Sequence, residues 1–138
     1  MKKTILFLCG ILIIGISACT KTKYVPDPIN PNRTYIRSLA AGDWQRQSNN
    51  LIFCDIPLND LTDYYILEGN ISVALSTDNE ASYDILPATI NAISYTVNYT
   101  TGFVTIYADD PLSDPDIQVP IPSNVVVKIV LSDSDFIN

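Results

Sequence analysis

The sequence has 138 residues and a mass of 15.2 kDa, enough for one domain of ordinary size and too little for two. It contains no histidine, which excludes Ser/His and Cys/His nucleophile systems and imidazole metal sites. The formal net charge is −7, and an acidic chain is a poor partner for phosphate backbones. We therefore expect no nucleic-acid binding.

The first segment has the layout of a secretory signal. Two lysines precede an apolar run over residues 5–16, and the small residues Ser17 and Ala18 follow it. As a helix, this run is about 18 Å long, whereas the hydrocarbon core of a bilayer is about 30 Å thick. We therefore predict a signal peptide over residues 1–18 and not a permanent transmembrane helix.

The end of this signal resembles a bacterial lipobox. Ile16, Ser17, Ala18 and Cys19 form the order aliphatic, small, small, cysteine. Similarity to bacterial lipoproteins implies that Cys19 receives a diacylglyceryl group, that cleavage occurs before it, and that the new amino terminus is acylated. The lipid bilayer is then the first partner, held through Cys19, because two or three acyl chains anchor a protein stably. The alternative is an ordinary signal peptide followed by a chance cysteine.

Residues 19–34 are predicted to form a flexible tether after the lipidated cysteine. They are polar, include three closely spaced prolines, and lack an apolar period.

Charge is distributed unevenly along the predicted mature chain. Residues 19–46 carry a net charge of +3, whereas residues 47–138 carry a net charge of −12, because Lys128 is the sole basic residue in that range. The segment after Cys19 has neither an acidic run nor an adjacent aspartate. The resemblance then implies a cell-envelope lipoprotein in the outer membrane, facing the periplasm, with surface exposure as the alternative.

From residue 35 onward the sequence favours strands, since Val and Ile are abundant and Glu, Lys and Ala are scarce. Alternation of apolar and polar residues predicts strands around residues 35–39, 51–56, 70–76, 83–85, 93–100, 103–108 and 125–131. Thr101-Gly102 is predicted to be a hairpin turn. One short helix is expected at residues 62–67, with Thr62 as its N-cap.

About seven short strands over residues 35–138 predict an all-β fold, an antiparallel β-sandwich of immunoglobulin-like size. The last strand is apolar on both faces except at Lys128, which predicts a central position. The expected core consists of Trp44, Phe53, Ile71, Val73, Leu75, Tyr95, Val97, Val104, Ile106, Val127 and Ile129.

This predicted domain resembles small single-domain envelope lipoproteins of Gram-negative bacteria that have no assigned activity. The shared features are Asp43-Trp44, Leu61-Thr62 leading to Gly69, Leu86-Pro87 and a closing Val-rich strand. The resemblance spans residues 35–132 and implies no catalytic residues.

The segment 109–116 concentrates carboxylates, which are hard oxygen ligands suited to calcium. The candidate metal ligands are Asp109, Asp110, Asp114 and Asp116. The spacing of an EF-hand fails, because Asp114 and Pro120 occupy the loop positions that require Gly and Glu. The alternative is a solvated turn, and we expect no cofactor apart from the lipid.

The candidates for a sugar-stacking or protein-docking surface are aromatic residues: Tyr64, Tyr65, Tyr83 and Tyr107, with Trp44 as a further binding candidate. The alternative for each is a place in the core.

Cys54 is the one thiol left after signal removal and lipidation. We expect it to be buried, with a reactive role as the alternative.

The predicted function is a non-enzymatic binding or adaptor module on the membrane, of unknown ligand. Only Asp55 among the carboxylates falls within an apolar run, so no catalytic pair is assigned. One alternative is a structural or assembly subunit that adds a strand to a sheet edge, and another is a carbohydrate- or calcium-binding module. Strand addition requires an exposed edge free of Pro and Lys.

Overall fold

The computed structural model describes residues 32–134. The predicted signal peptide, Cys19 and most of the predicted tether lie outside these residues. Within them, nine strands and one α-helix occur, with a short 3-10 helix over Ala41–Asp43. The elements are β1 Arg33–Leu39, β2 Gln45–Ser48, β3 Leu51–Pro57, α1 Asp63–Leu67, β4 Asn70–Ser76, β5 Asp84–Ile85, β6 Ala88–Ile90, β7 Ile93–Thr100, β8 Phe103–Asp109 and β9 Val125–Ser132.

The strands form two antiparallel sheets that pack as a β-sandwich, which confirms the predicted fold class. One sheet has the order β1-β9-β4-β5 and the other has the order β2-β3-β8-β7-β6. β9 lies between β1 and β4, so its predicted central position is confirmed. The two additional strands are β2, whose four residues are all exposed, and β6, which has three residues.

The core lies between the sheets and is built from alternating residues. In β8, Val104, Ile106 and Ala108 are fully buried, and β9 alternates in the same way. Ile71 and Val97 are half-buried and pack against this cluster. The prediction that Phe53 lies in the core is wrong, because its neighbours Ile52 and Cys54 point inward. The Phe53 ring instead lies on the outer face near Tyr107, with ring centroids 6.2 Å apart.

The short helix and the hairpin turn form where the sequence predicts them. α1 follows Thr62, which is extended as an N-cap residue is, although its hydroxyl makes no capping hydrogen bond. Gly69 is required by close packing, since a Cβ atom there would lie 2.7 Å from Cδ1 of Tyr65 and 3.1 Å from the carbonyl oxygen of Ser132. Gly102 has a φ of 83°, which the tight turn between β7 and β8 demands.

The loop between β4 and β5 covers the outer face of the first sheet. Tyr83 from this loop lies under the ammonium group of Lys128, with Nζ 3.7 Å from the ring centroid. The carboxylate of Asp78 accepts hydrogen bonds from Oγ of Ser76 at 2.8 Å and from the backbone N–H of Ser82 at 3.0 Å. The hydroxyl of Ser82 also donates a hydrogen bond to this carboxylate. This bond is the main cause that lowers the pKa of Asp78 to about 2, and the other bonds lower it further.

Asp78→Asn is therefore expected to destabilise the domain at neutral pH. A lowered carboxyl pKa stabilises the fold above the pKa of the unfolded chain, and this stabilisation disappears as pH falls through the folded-state pKa. The stability difference between wild type and variant should be constant above about pH 5 and should shrink between about pH 4 and pH 2. Urea unfolding at a series of pH values measures it, and a difference independent of pH over this range contradicts the assignment.

Candidate functional site

β6 covers only the beginning of β7. Ala88–Ile90 pairs with Ile93–Tyr95, whereas β8 pairs with β7 as far as Thr100 on its other side. Among residues 32–134, no strand pairs with Thr96–Thr100 on the side opposite β8. We call this segment the open edge. A row of unpaired backbone groups of this kind is a template for another strand.

The side chains of the open edge alternate between the two faces of the sheet. Thr96, Asn98 and Thr100 are exposed on the outer face. Val97 lies on the inner face and packs against the core, and Tyr99 follows on the same face with 41% of its surface exposed. An added strand would therefore bury apolar side chains against Val97 and Tyr99 while its polar side chains faced solvent.

No charged residue lies within the open edge or in the residues that precede and follow it along the chain, although Asp63 of α1 contacts the turn that ends it. Residues 85–108 contain no charged side chain, although the chain carries 15 carboxylates in all. The segment also lacks proline and has no bulge in its pairing with β8. Charges, prolines and bulges are the devices by which edge strands avoid pairing. The open edge has none of them, so it meets the requirement for strand addition.

The other uncovered edges of the described sheets are either protected or short. β5 leaves only Asn70–Ser72 of β4 without a neighbour, and the part of β3 that β2 leaves uncovered contains Asp55 and Pro57. β1 bears Arg33 and Arg37, and β2 is four residues long with a register shift between Arg46 and Ser48. β5 has two residues and is followed closely by Pro87, while β6 has three residues. Charge, irregular register and short length protect these edges. The open edge is therefore the strongest candidate for a functional surface in the described part of the chain.

The turn at the end of the open edge is held by the loop before α1. The backbone N–H of Gly102 donates to the carbonyl of Leu61 at 2.8 Å, and its carbonyl accepts from the N–H of Leu58 at 2.8 Å. The hydroxyl of Thr101 also donates to the carboxylate of Asp63. These contacts fix the position of the turn, so the end of the open edge is held in place without a partner.

The aromatic candidates from the sequence lie elsewhere and are mainly in the core. Trp44 is 5% exposed, and its Nε1 is buried with no hydrogen-bond partner among residues 32–134. Tyr65 is 4% exposed, and its ring makes an edge-to-face contact with Tyr64 at 5.3 Å. Tyr64 is half-buried and packs against the core. Packing against the core therefore buries much of the surface of these three rings.

The acidic candidates belong to the loop that joins β8 to β9. The carboxylate of Asp110 accepts from the N–H groups of Leu112 and Asp114, each at 3.0 Å, and that of Asp114 accepts from Asp116 at 2.9 Å. Asp109 ends β8 and pairs with Leu51. Within residues 32–134, no group of three or more acidic or cysteine side chains converges to hold a metal ion. Two of these carboxylates thus bind the loop's own backbone.

The two cysteines of the predicted mature chain differ in what the structure shows. Cys19, the predicted lipidation site, lies outside the described residues. Cys54 is 1% exposed and forms no disulfide, as expected for a small buried residue. Burial, and then the charges of Asp43 and Asp55, raise the pKa of its thiol to about 11, which keeps it protonated at neutral pH.

Analysis of the sequence identified β7 as a strand but missed its open edge. One available signal was the uncharged stretch over residues 85–108 in an otherwise acidic chain. Another was the short spacing between Pro87 and Asn91, which leaves room for a strand of only three residues beside a much longer one. Together these signals indicate a long strand with an incomplete neighbour.

Comparison with known proteins gives no relative from which to transfer a function. No protein-family model, no curated protein and no solved structure matches this sequence. No helix within residues 32–134 has the length and apolar character needed to cross a membrane.

Proposed function

We propose that this protein is a lipid-anchored, non-enzymatic binding or adaptor module of the bacterial cell envelope, and that its partner binds by adding a strand to the open edge. The observation that supports this proposal is the incomplete cover of β7 by β6. The segment Thr96–Thr100 offers unpaired backbone groups, neutral side chains and no proline. These properties match the requirements of β-strand addition.

The chemistry of the open edge favours an extended partner with alternating side chains. Backbone hydrogen bonds to β7 would supply affinity independent of the partner's sequence. Apolar side chains at every second position would pack against Val97 and Tyr99, which gives specificity for alternating segments. A net charge of −12 over residues 47–138 would also disfavour acidic partners over neutral or basic ones.

The envelope location in this proposal depends on the lipobox that ends at Cys19. The tether after Cys19 spans up to about 45 Å when extended, so the sandwich would stand off the membrane surface. Basic residues near the anchor favour an anionic surface and the acidic body disfavours it. This arrangement leaves the edges of the sandwich accessible to partners in the envelope.

Site-specific photocrosslinking in living cells tests the open edge. A photoreactive phenylalanine analogue replaces Tyr99 in the full-length chain, and we expect one dominant adduct of defined mass after irradiation. Tyr99 is 41% exposed, so part of its ring faces solvent. Adding Thr96→Lys to the same chain should strongly reduce the adduct, because an edge lysine opposes strand pairing.

Leu112 is the matched control that tests whether exposure alone gives an adduct. It is 88% exposed on the loop between β8 and β9, outside any strand. The analogue at this position should give no dominant adduct. If position 99 yields no more adduct than position 112, or if Thr96→Lys leaves the adduct unchanged, strand addition at the open edge is refuted.

A further inference from the structure

We infer that the outer face of the sheet β2-β3-β8-β7-β6 binds a neutral polysaccharide, with the rings of Phe53 and Tyr107 as its stacking surface. Asp55 and Asn98 are the main hydrogen-bonding groups beside these rings. The site is distinct from the open edge, because strand addition uses the backbone of β7 and its inward side chains. Uncovered aromatic rings, unpaired polar groups around them and the charge of the face carry the inference.

The pairing of two strands places two aromatic rings side by side on this face. Phe53 of β3 is directly opposite Tyr107 of β8, and their ring centroids are 6.2 Å apart with 38° between the ring planes. Each side chain is half-buried, so part of each ring is open to solvent. Within residues 32–134, no guanidinium or ammonium group lies over either ring, whereas Lys128 covers the ring of Tyr83. The pair therefore offers an uncovered apolar surface.

Polar side chains flank the two rings along the same row. Gln45 of β2 is opposite Phe53, and Thr96 of β7 is opposite Tyr107. Both flanking residues are exposed, and in the described part of the chain neither side chain makes a hydrogen bond. Amide and hydroxyl groups both donate and accept hydrogen bonds. A ligand stacked on the rings would therefore meet free hydrogen-bonding groups at both ends of the row.

The next row of outward residues adds a carboxylate. Asp55, Thr105 and Asn98 are aligned across β3, β8 and β7. This row lies about 6.8 Å along the strands from the row of rings. Oδ1 of Asp55 accepts a hydrogen bond from the hydroxyl of Thr105 at 2.6 Å, which orients the carboxylate. Its Oδ2 is left to accept from a ligand hydroxyl, and hydrogen bonds to an ionised acceptor are stronger than neutral ones.

This combination of groups favours a carbohydrate over a protein surface. The C–H groups on one face of a sugar ring are apolar and pack on an aromatic face, while its hydroxyls pair with amide and carboxylate groups around the rings. An apolar protein surface would instead bury Gln45, Asp55 and Asn98 without partners, which is costly. Aromatic side chains with a few placed polar groups are also the usual lining of small-ligand sites.

The charge of the face specifies a neutral carbohydrate. None of the outward residues of β3, β7 and β8 is lysine or arginine, and residues 47–138 carry a net charge of −12. An acidic polysaccharide is therefore repelled, and its carboxylates or sulfates find no cation on this face. Neutral hydroxyl groups meet no such repulsion, so the site discriminates between the two classes.

A third aromatic residue extends the face along β8. Phe103 is 48% exposed and lies four residues from Tyr107 on the same face of the strand. Four residues of an antiparallel strand span about 14 Å. Thr105 and its bond to Asp55 lie between the two rings. An extended polysaccharide contacts both rings and the polar row between them, whereas a single sugar ring stacks at only one end.

Native electrophoresis through gels that contain polysaccharide tests this site. The full-length chain, solubilised in a detergent without a sugar head group, is run through gels that contain mixed-linkage β-glucan, galactomannan or alginate. We expect at least one of the two neutral polysaccharides to retard the protein. The acidic alginate should not retard it, because the face lacks basic residues.

Substitutions on the face separate stacking from general apolar contact. Tyr107→Leu keeps an apolar side chain but removes the aromatic face, so it should weaken binding about fivefold, whereas Tyr107→Phe should bind within about twofold of wild type. Asp55→Ala removes the charged acceptor and should weaken binding about tenfold. Tyr83→Ala is the matched control, since the Tyr83 ring lies on the other sheet under Lys128. Urea unfolding of each variant verifies that it is folded.

Three outcomes overturn the inference. The first is retardation by neither neutral polysaccharide, and the second is an equal loss of retardation in Tyr83→Ala and Tyr107→Leu. The third is a dominant protein adduct in cells from a photoreactive phenylalanine analogue at position 107, which assigns this face to a protein partner. The proposed function is tested separately, because Tyr107→Leu should leave the adduct from position 99 unchanged.

Discussion

Replacing Cys19 with alanine is expected to abolish incorporation of labelled palmitate into this protein. The resemblance to a lipobox implies that the sulfur of Cys19 forms the thioether to the diacylglyceryl group. Alanine has no nucleophilic group to replace it. Each buried CH₂ group of an acyl chain contributes about 0.8 kcal/mol to membrane binding, so loss of the lipid removes the anchor. Any exported and cleaved Cys19→Ala protein should therefore move to the soluble fraction.

Two further cysteines supply matched controls for this experiment. Cys9 lies within the apolar run of the predicted signal and Cys54 is buried in the sandwich. Cys9→Ala and Cys54→Ala should both retain palmitate label and membrane association. Label that persists in Cys19→Ala, or that is lost only in Cys9→Ala, would contradict the lipoprotein assignment.

Alternation predicted the long strands because each has one face against the core. In β9 the residues Val125, Val127 and Ile129 are buried, and Lys128 is the polar interruption on the outer face. The period of two residues is a direct consequence of burying one face of a pleated strand. Such strands are visible in a sequence wherever burial and polarity agree.

The short strands were missed because burial does not determine them. All four residues of β2 are exposed, so no apolar alternation marks it. The turn before β7 consists of Asn91 and Ala92, whose φ values are 51° and 62°. A hairpin of this kind is usually signalled by glycine, and its absence concealed β6. Tertiary pairing with Ile93–Tyr95 forms β6 despite this weak local signal.

The open edge was missed for a related reason, because the residues of β7 alone do not reveal it. Each residue of Thr96–Thr100 has a local preference for strand, and β8 satisfies that preference on one side. Whether the other side is paired depends on where a neighbouring strand ends, which the residues of β7 do not encode. The path of the chain from β5 through Pro87 into β6 sets that limit.

Phe53 was assigned to the core because large aromatic residues in apolar runs are usually buried. In the run from Leu51 to Ile56 every second residue lies in the core. Both the odd-numbered and the even-numbered residues of this run include hydrophobic side chains, so either set could be the buried one by composition. The structure places Ile52, Cys54 and Ile56 inside, so Phe53 lies outside. A one-residue change of register moves a whole set of side chains to the other face, and composition alone does not determine which set is inside.

A pair of alanine substitutions makes this distinction measurable. Ile106→Ala is expected to destabilise the domain by about 4 kcal/mol, because it leaves a cavity at a fully buried site opposite Cys54. Phe53→Ala removes a larger side chain but from the outer face, where solvent fills the space and the ring's contact with Tyr107 is lost. We expect about 1–2 kcal/mol for Phe53→Ala. Chemical denaturation at equilibrium measures both, and a greater loss from Phe53→Ala than from Ile106→Ala would contradict the register of β3.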